Sequence, residues 1–479
     1  MLSNESERLA RAVEHACEAR LVILARYLLG NVAFHDERRK EFPSHESFSA
    51  RVWNLWCWWV FVTSFSQWTG QLVQQSTRSS PTMPRSFIAC VLLLASSHAT
   101  SASSHTNYAH QYDHELFVGS LANESILSFD LTADGFISGG RRTTPNEVKR
   151  SWQTLHPNGK TLYSADGGPG EISAWNLTPD DGLQQIGNAV DVGANPVFVT
   201  AVKVPSTASK GTAPKRDSQA DDDHVVVIAA DYTAGAIVVV QTDARTGALG
   251  EVAVTRHTEH PLCPNPIGDR QASSHPHGVF TSPTHPSHVF APDLGLDRIY
   301  HYTIDSNGTL QPFSSQPFVV APLCSGPRHI AFDDSGKFMF VVHELSNTLT
   351  VWRLDDVTHE LTWVGDHVST LPPDSGWSYC SATAAWDAPY TNNCTKAAEV
   401  RFARLQSFTV VYVSNRGHDS VSMFHVDEKT GQLTRPSDPA AATVLGLHWP
   451  RSFSVIPDTT PSLLVVAVRE CVSVACVCA

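Results

Sequence analysis

The stretch "HIAFDDSGKFMFVVHELSNTLTVWRLDDVTHELTWVG", from His329 to Gly365, decides the fold. It reads as a short apolar strand, a polar turn around Gly336, and a second apolar strand ending at His343 and Glu344. A third strand, "TLTVW", another polar turn and a short fourth strand follow. Apolar runs this short, bounded by Gly, Asp and Asn, are strands and not helices. The same order of pieces recurs in "WQTLHPNGKTLYSADGGPGEISAWNLTPDDGLQQIG" from Trp152. It recurs again from His277 ("HGVFTSPTHPSHVFAPDLGLDRIYHYTIDSNGTLQPF") and from Val400 ("VRFARLQSFTVVYVSNRGHDSVSMFHVDEKTGQLTRP"). Four antiparallel strands in each unit of about forty residues mark the blades of a β-propeller. A β-sandwich also has many short strands, but it does not repeat one four-strand motif.

Counting the units gives an all-β, seven-bladed β-propeller over residues 108–470. A first unit, Glu115 to Ile137, lacks its opening strand. Complete units start near Trp152, Pro196, His277, Pro327 and Ala398, and a seventh opens at Trp449. The polar segment Pro205 to Asp223 and the loop between Cys380 and Cys394 interrupt the pattern as insertions. In the sixth unit "VRFARLQSFTVVY" lacks the Gly-containing turn of the others. After Glu470 the chain reads "CVSVACVCA", so residues 471–479 are expected as an aberrant tail and the last blade as truncated. Such an end leaves the edges of blades one and seven unpaired.

Residues 83–103, "MPRSFIACVLLLASSHATSAS", have a basic start, an apolar core and a small-residue tail in the order of a secretory signal. The alternative is a buried apolar strand or helix. Residues 1–82 form an N-terminal extension outside the mature protein on the signal reading. Their aromatic run "WNLWCWWVFV" is shorter than a membrane span. A secreted location follows, with a cytoplasmic one as the alternative and no stable membrane insertion after processing. Asn123, Asn176, Asn307 and Asn393 head N-x-S/T triplets and are candidate glycosylation sites. Cys380 and Cys394 are a candidate disulfide, and Cys263 with Cys324 a second; in a cytosolic protein all four remain free thiols.

The composition, 42% hydrophobic and 17% charged, is that of a globular chain. A net charge of −13 argues against a nucleic-acid surface, which needs clustered Lys and Arg. Any anionic ligand is therefore held by a few well-placed cations. None of the ten cysteines forms a CxxC pair, so no zinc site is expected, and no cofactor.

The motifs "SHPHGV", "DLGLDRIYHY", "GPRHIAFDDSGKFMFVVHELSNTLTVW", "VYVSNRGHDSVSMFHVDEKTG" and "WPRSFSV" resemble the lactonase family of seven-bladed propellers. That family includes bacterial 6-phosphogluconolactonase and fungal 3-carboxy-cis,cis-muconate cyclase, and the chain looks more like the cyclase branch. In a propeller, side chains at first-strand starts and second-strand ends crowd one mouth of the central channel. His277, Arg328 and His329 stand at first-strand starts. Glu344 ends a second strand, and Arg416 holds the equivalent place one blade on. Guanidinium suits carboxylates because its fork binds them in pairs of hydrogen bonds.

The resemblance implies an isomerase that closes carboxymuconate to a lactone. In it His277 is catalytic, Glu344 acts in proton transfer or orients an arginine, and Arg328 and Arg416 bind substrate. A lactone hydrolase of the 6-phosphogluconolactonase type uses similar groups, and a secreted, non-catalytic propeller glycoprotein is the third reading. The expected partner is a small anionic carboxylate or lactone. His275 and His329 are weaker candidates, and Asp293 and Asp297 are expected as turn or inter-blade residues.

Overall fold

The computed structural model describes the strand Ala89–Ala95 and residues 114–477, except 121–124, 133–134, 136, 143–149, 179–181, 205–223, 374, 380–393, 438–442, 457–461 and 469–471. Its strands fall into seven sheets in chain order, the seven blades. The stretch from His329 is blade five. There Pro327–Phe332, Phe338–His343, Thr348–Leu354 and Leu361–Ser369 pair in sequence.

Second strands show why the pattern is apolar throughout and does not alternate. Phe338–His343, Val225–Asp231 and Thr161–Asp166 are buried at every position, because a neighbouring blade packs on each face. The outer strand of blade three, Leu249–Arg256, is mostly exposed and mixed in composition.

The turn between second and third strands is one device used five times. The hairpins close on Asp166↔Glu171, Asp231↔Ala236, Asp293↔Arg298, His343↔Thr348 and Asn415↔Ser420. The residue just before each closing partner has positive φ: Gly170 (80°), Gly235 (63°), Asp297 (51°), Asn347 (54°) and Asp419 (56°). Asp and Asn tolerate this left-handed conformation better than other side-chain-bearing residues. They also use their oxygens to fix the next blade. Asp297 accepts from the backbone N–H of Cys324 (2.6 Å) and Gly326 (2.8 Å), Asn347 from Ala397 (2.7 Å) and Asp419 from Trp449 (2.9 Å). Asp293 accepts from the His275 N–H at 2.8 Å. Both Asp293 and Asp297 are thus the turn and inter-blade residues expected.

Three expectations change. Blade one does have an opening strand: Ala89–Ala95, the apolar run of the signal-like segment, pairs antiparallel with His114–Ser120. Blade seven does have a third strand. The tail segment Val472–Val477 pairs with Ser462–Ala467, since its apolar, β-branched run is a good strand former. The sixth unit keeps its first turn in different residues, with the Leu405 N–H donating to the Phe408 carbonyl at 2.9 Å. Blades one and seven meet through a buried cluster that joins Leu116, Val118 and Leu131 to Ile456, Leu463 and Val465.

Asn176 and Asn307 are exposed, whereas Asn123 and Asn393 lie outside the described residues. Cys263 and Cys324 form a disulfide. Cys394 is disulfide-bonded as well, and Cys380 lies outside the described residues. Among the described residues no helix is long and apolar enough to cross a membrane.

Candidate active site

A cavity of about 330 Å³, the size of a small-molecule site, is lined from the two positions that the repeat singles out. First-strand starts contribute Ser151, Val197, His277 and Arg451. Second-strand ends contribute Gly167, Tyr232, Glu344 and Arg416, each one residue past the hairpin-closing position. Asn195 and Arg270 complete the wall.

Glu344 is the hub. Its Oε2 accepts from Arg328 Nε and from Arg416 Nη2, both at 2.9 Å, and its Oε1 accepts from Arg270 Nη2 at 2.7 Å. Burial alone would raise this carboxyl, but Arg270, Arg416 and Arg328 together hold it well below its ordinary value of 4.5. Both oxygens are therefore ionised and committed, so Glu344 fixes the arginines and is a poor base.

Arg328 is 1% exposed and does not line the cavity. It stands behind the wall and donates to the Ala398 carbonyl at 2.6 Å, tying blade five to blade six. Burial and the neighbouring Arg416 push it down to about 9, so it stays charged at neutral pH. Arg416 reaches the cavity and also donates to the carbonyls of Lys396 (3.2 Å) and Ala397 (3.1 Å).

His277 is 5% exposed, and its Nδ1 is buried without a hydrogen-bond partner among the described residues. Its ring meets Tyr232 and His329 edge-on, at 5.7 and 5.2 Å between centroids. Burial first, then Arg328 and His329, hold it well below 6.5. It is a neutral imidazole at physiological pH.

The weaker candidates are supports. His329 is 0% exposed and its Nδ1 lies 3.2 Å from Glu399 Oε2; burial and Arg328 push it down to about 4. His275 stacks on Tyr232 at 4.3 Å, with Nδ1 2.7 Å from the Tyr232 carbonyl.

Of the seven lining residues that escaped the sequence reading, Arg451, Tyr232 and Arg270 shape the charge of the site. Arg451 was legible, because "WPRSF" repeats the Pro-Arg of "GPRHI". It lines the cavity with no ion-pair partner among the described residues. Tyr232 occupies the blade position of Glu344 and Arg416, and its hydroxyl accepts from Arg270 Nε at 2.7 Å. Arg270 carried no such signal, since it lies in the connection between blades three and four.

The cavity thus gathers Arg270, Arg416 and Arg451 in its wall and Arg328 behind it, against one carboxylate. Such a site is built for a small anion.

The model of the family described as "Lactonase, 7-bladed beta-propeller" matches residues 115–477. The chain belongs to the lactonase family. Its relatives include the 6-phosphogluconolactonase of Bacillus subtilis, 26% identical over 354 residues, 73% of this chain and 85% of that protein. An uncharacterized protein of Staphylococcus aureus is 32% identical over 225 residues, 47% of this chain and 56% of its own. Among solved structures, the periplasmic gluconolactonase of Pseudomonas aeruginosa superposes with a TM-score of 0.58 at 22% identity, covering 76% of this chain and 91% of that one. A putative 6-phosphogluconolactonase from Bacteroides fragilis gives a TM-score of 0.56 at 23% identity, over 74% and 88%. These likenesses support the lactonase propeller. The particular likeness to the family's cyclase branch is not shown.

Proposed function

We propose that this lactonase-family chain hydrolyses a small anionic lactone, with 6-phosphogluconolactone and related sugar lactones as the substrate class. One observation carries the reading: three guanidiniums, of Arg270, Arg416 and Arg451, line a cavity whose single lining carboxylate is already committed to two of them and to Arg328 behind the wall. The excess positive charge attracts an anionic substrate and stabilises the oxyanion formed when water attacks the lactone carbonyl. His277 takes the proton from that water and returns it to the ring oxygen as the C–O bond breaks. A bound anion raises its basicity by offsetting Arg328. Glu344 and Arg328 are positioning residues in this scheme.

A second reading is favoured by the number of cations. Three wall arginines suit a polycarboxylate, and closing carboxymuconate to its lactone uses the same cavity with His277 delivering a proton to carbon. The signal-like segment supports a secreted protein, although Ala89–Ala95 would then leave blade one with the removed peptide. N-terminal sequencing of the natural protein decides this: a start near residue 103 supports secretion, and a retained strand defeats it.

The function is tested by pH-stat titration of acid release from glucono-δ-lactone and 6-phosphogluconolactone, beside the loss of carboxymuconate absorbance. Hydrolysis is expected, with His277→Gln lowering kcat about 10²- to 10⁴-fold. Arg451→Ala should act mainly by raising KM. Turnover of carboxymuconate alone would establish the second reading. No turnover of any of the three would overturn both and leave an anion-binding propeller.

A further inference from the structure

Arg270 sits in a structure that the blade repeat does not supply. Residues 257–279 join blade three to blade four, where residues 192–195 and 321–326 suffice for other blades. Within this long connection a short 3₁₀ turn, Gly268–Gln271, presents Arg270 to the cavity. Two of its nitrogens are occupied, Nε by the Tyr232 hydroxyl and Nη2 by Glu344, each at 2.7 Å. The third, Nη1, is buried with no partner among the described residues. Arg270 lines the cavity all the same, where its charge meets a bound anion.

The connection is held to the loop that enters blade five. The Cys263–Cys324 disulfide joins the two covalently. The next residue after Arg270, Gln271, donates through Nε2 to both carboxylate oxygens of Asp297 at 3.1 Å. Asp297 in turn accepts from the N–H groups of Cys324 and Gly326. The same loop supports the other half of the ion pair, because the Glu344 N–H donates to the Gly326 carbonyl at 2.8 Å. One staple therefore ties the carrier of Arg270 to the support of Glu344.

We propose that Arg270 is a ligand-binding cation of this cavity, and that the Cys263–Cys324 disulfide is what positions it. The inference rests on the anion-binding reading of the site and adds to it a residue and a covalent device.

The test is calorimetric titration of the full chain with inorganic phosphate as the probe, using Arg270→Ala, the paired Cys263→Ser and Cys324→Ser change, and the three together. A charge-assisted hydrogen bond is worth about a tenfold change in affinity or more, so Arg270→Ala should weaken phosphate binding about tenfold. The paired cysteine change should weaken it comparably. Combined, they should bind no more weakly than Arg270→Ala alone, because both act through one guanidinium. Circular dichroism at the titration temperature reports whether each variant is folded. If the paired variant melts below that temperature, Gln271→Ala tests the same link with the bridge intact. Losses that multiply, or a staple variant that binds like the parent, would overturn the inference while leaving the anion site standing. Absence of phosphate binding by the parent itself would remove both.

Discussion

Two parts of the cavity wall are built by different means. His277, Glu344, Arg416 and Arg451 come from the same two positions of successive blades, so the repeat itself aims them inward. Arg270 comes from an insertion that obeys no repeat and needs a disulfide, an Asp297–Gln271 bond and a tyrosine hydroxyl to hold it. Repetition supplies direction, and the blades themselves supply the anchors, such as the Lys396 and Ala397 carbonyls that accept from Arg416. An inserted group must be anchored by contacts of its own, and these contacts make it separable by mutation.

Acid should expose the wall first and most strongly. His277, His329 and His343 lie in blades four and five, and burial holds each below its ordinary value of 6.5, His329 at about 4 and His343 at about 3. The unfolded chain takes up protons below pH 6.5 while the folded one does not, so stability is full above 6.5 and falls as pH drops. Each group contributes about 1.4 kcal/mol per pH unit in that window. His329 and His343 together should lower stability by about 4 kcal/mol between pH 7 and pH 5, and His277 adds to the loss. Glu344, held below 4.5, adds its own loss only at lower pH. Denaturant unfolding at the two pH values measures this, and an unchanged midpoint would mean that these imidazoles are not neutral in the folded wall.

The hub joins the repeat-built residues to the inserted arginine, and Glu344→Gln should be the next largest effect. The substitution preserves shape but leaves Arg270, Arg328 and Arg416 buried without their shared counter-charge. Breaking a buried ion pair from one side typically costs about 3–5 kcal/mol. A fall of this size in urea unfolding free energy is expected, with phosphate affinity rising because the cations are released. A stability change below about 1 kcal/mol would show that the three arginines are adequately held by carbonyls such as those of Ala398 and Ala397.

How much of this was legible follows from the same division. The blades, the inter-blade aspartates and the wall residues His277, Glu344 and Arg416 could be read because each belongs to a motif that recurs. Arg328 was read as a ligand group although it is a strut; sequence position places it at the mouth, and only packing shows that its guanidinium turns behind the wall to Ala398. The opening strand of blade one was missed because Ala89–Ala95 is separated from its partner His114–Ser120 by a stretch with no blade pattern, and its apolar run reads equally well as a signal core. Glu344 as the shared partner of three arginines was beyond reach, since Arg416 is in the next blade and Arg270 is in the insertion, and only Arg328 shares its blade.

The smallest effect should come from the lightest anchor of the inserted arginine. Tyr232→Phe removes the hydroxyl that accepts from Arg270 Nε and preserves the ring that stacks on His275. One hydrogen bond of this kind contributes about 1 kcal/mol. Phosphate affinity should therefore fall about fivefold at most, less than in Arg270→Ala, with the thermal midpoint lowered by about 2 °C. The comparison turns on the ratio of the two losses. If Tyr232→Phe weakens binding as much as Arg270→Ala does, the phenol holds the guanidinium and the staple is incidental. A much smaller loss places the restraint in the Cys263–Cys324 bridge and the Asp297–Gln271 bond, where the insertion is joined to the loop beneath Glu344.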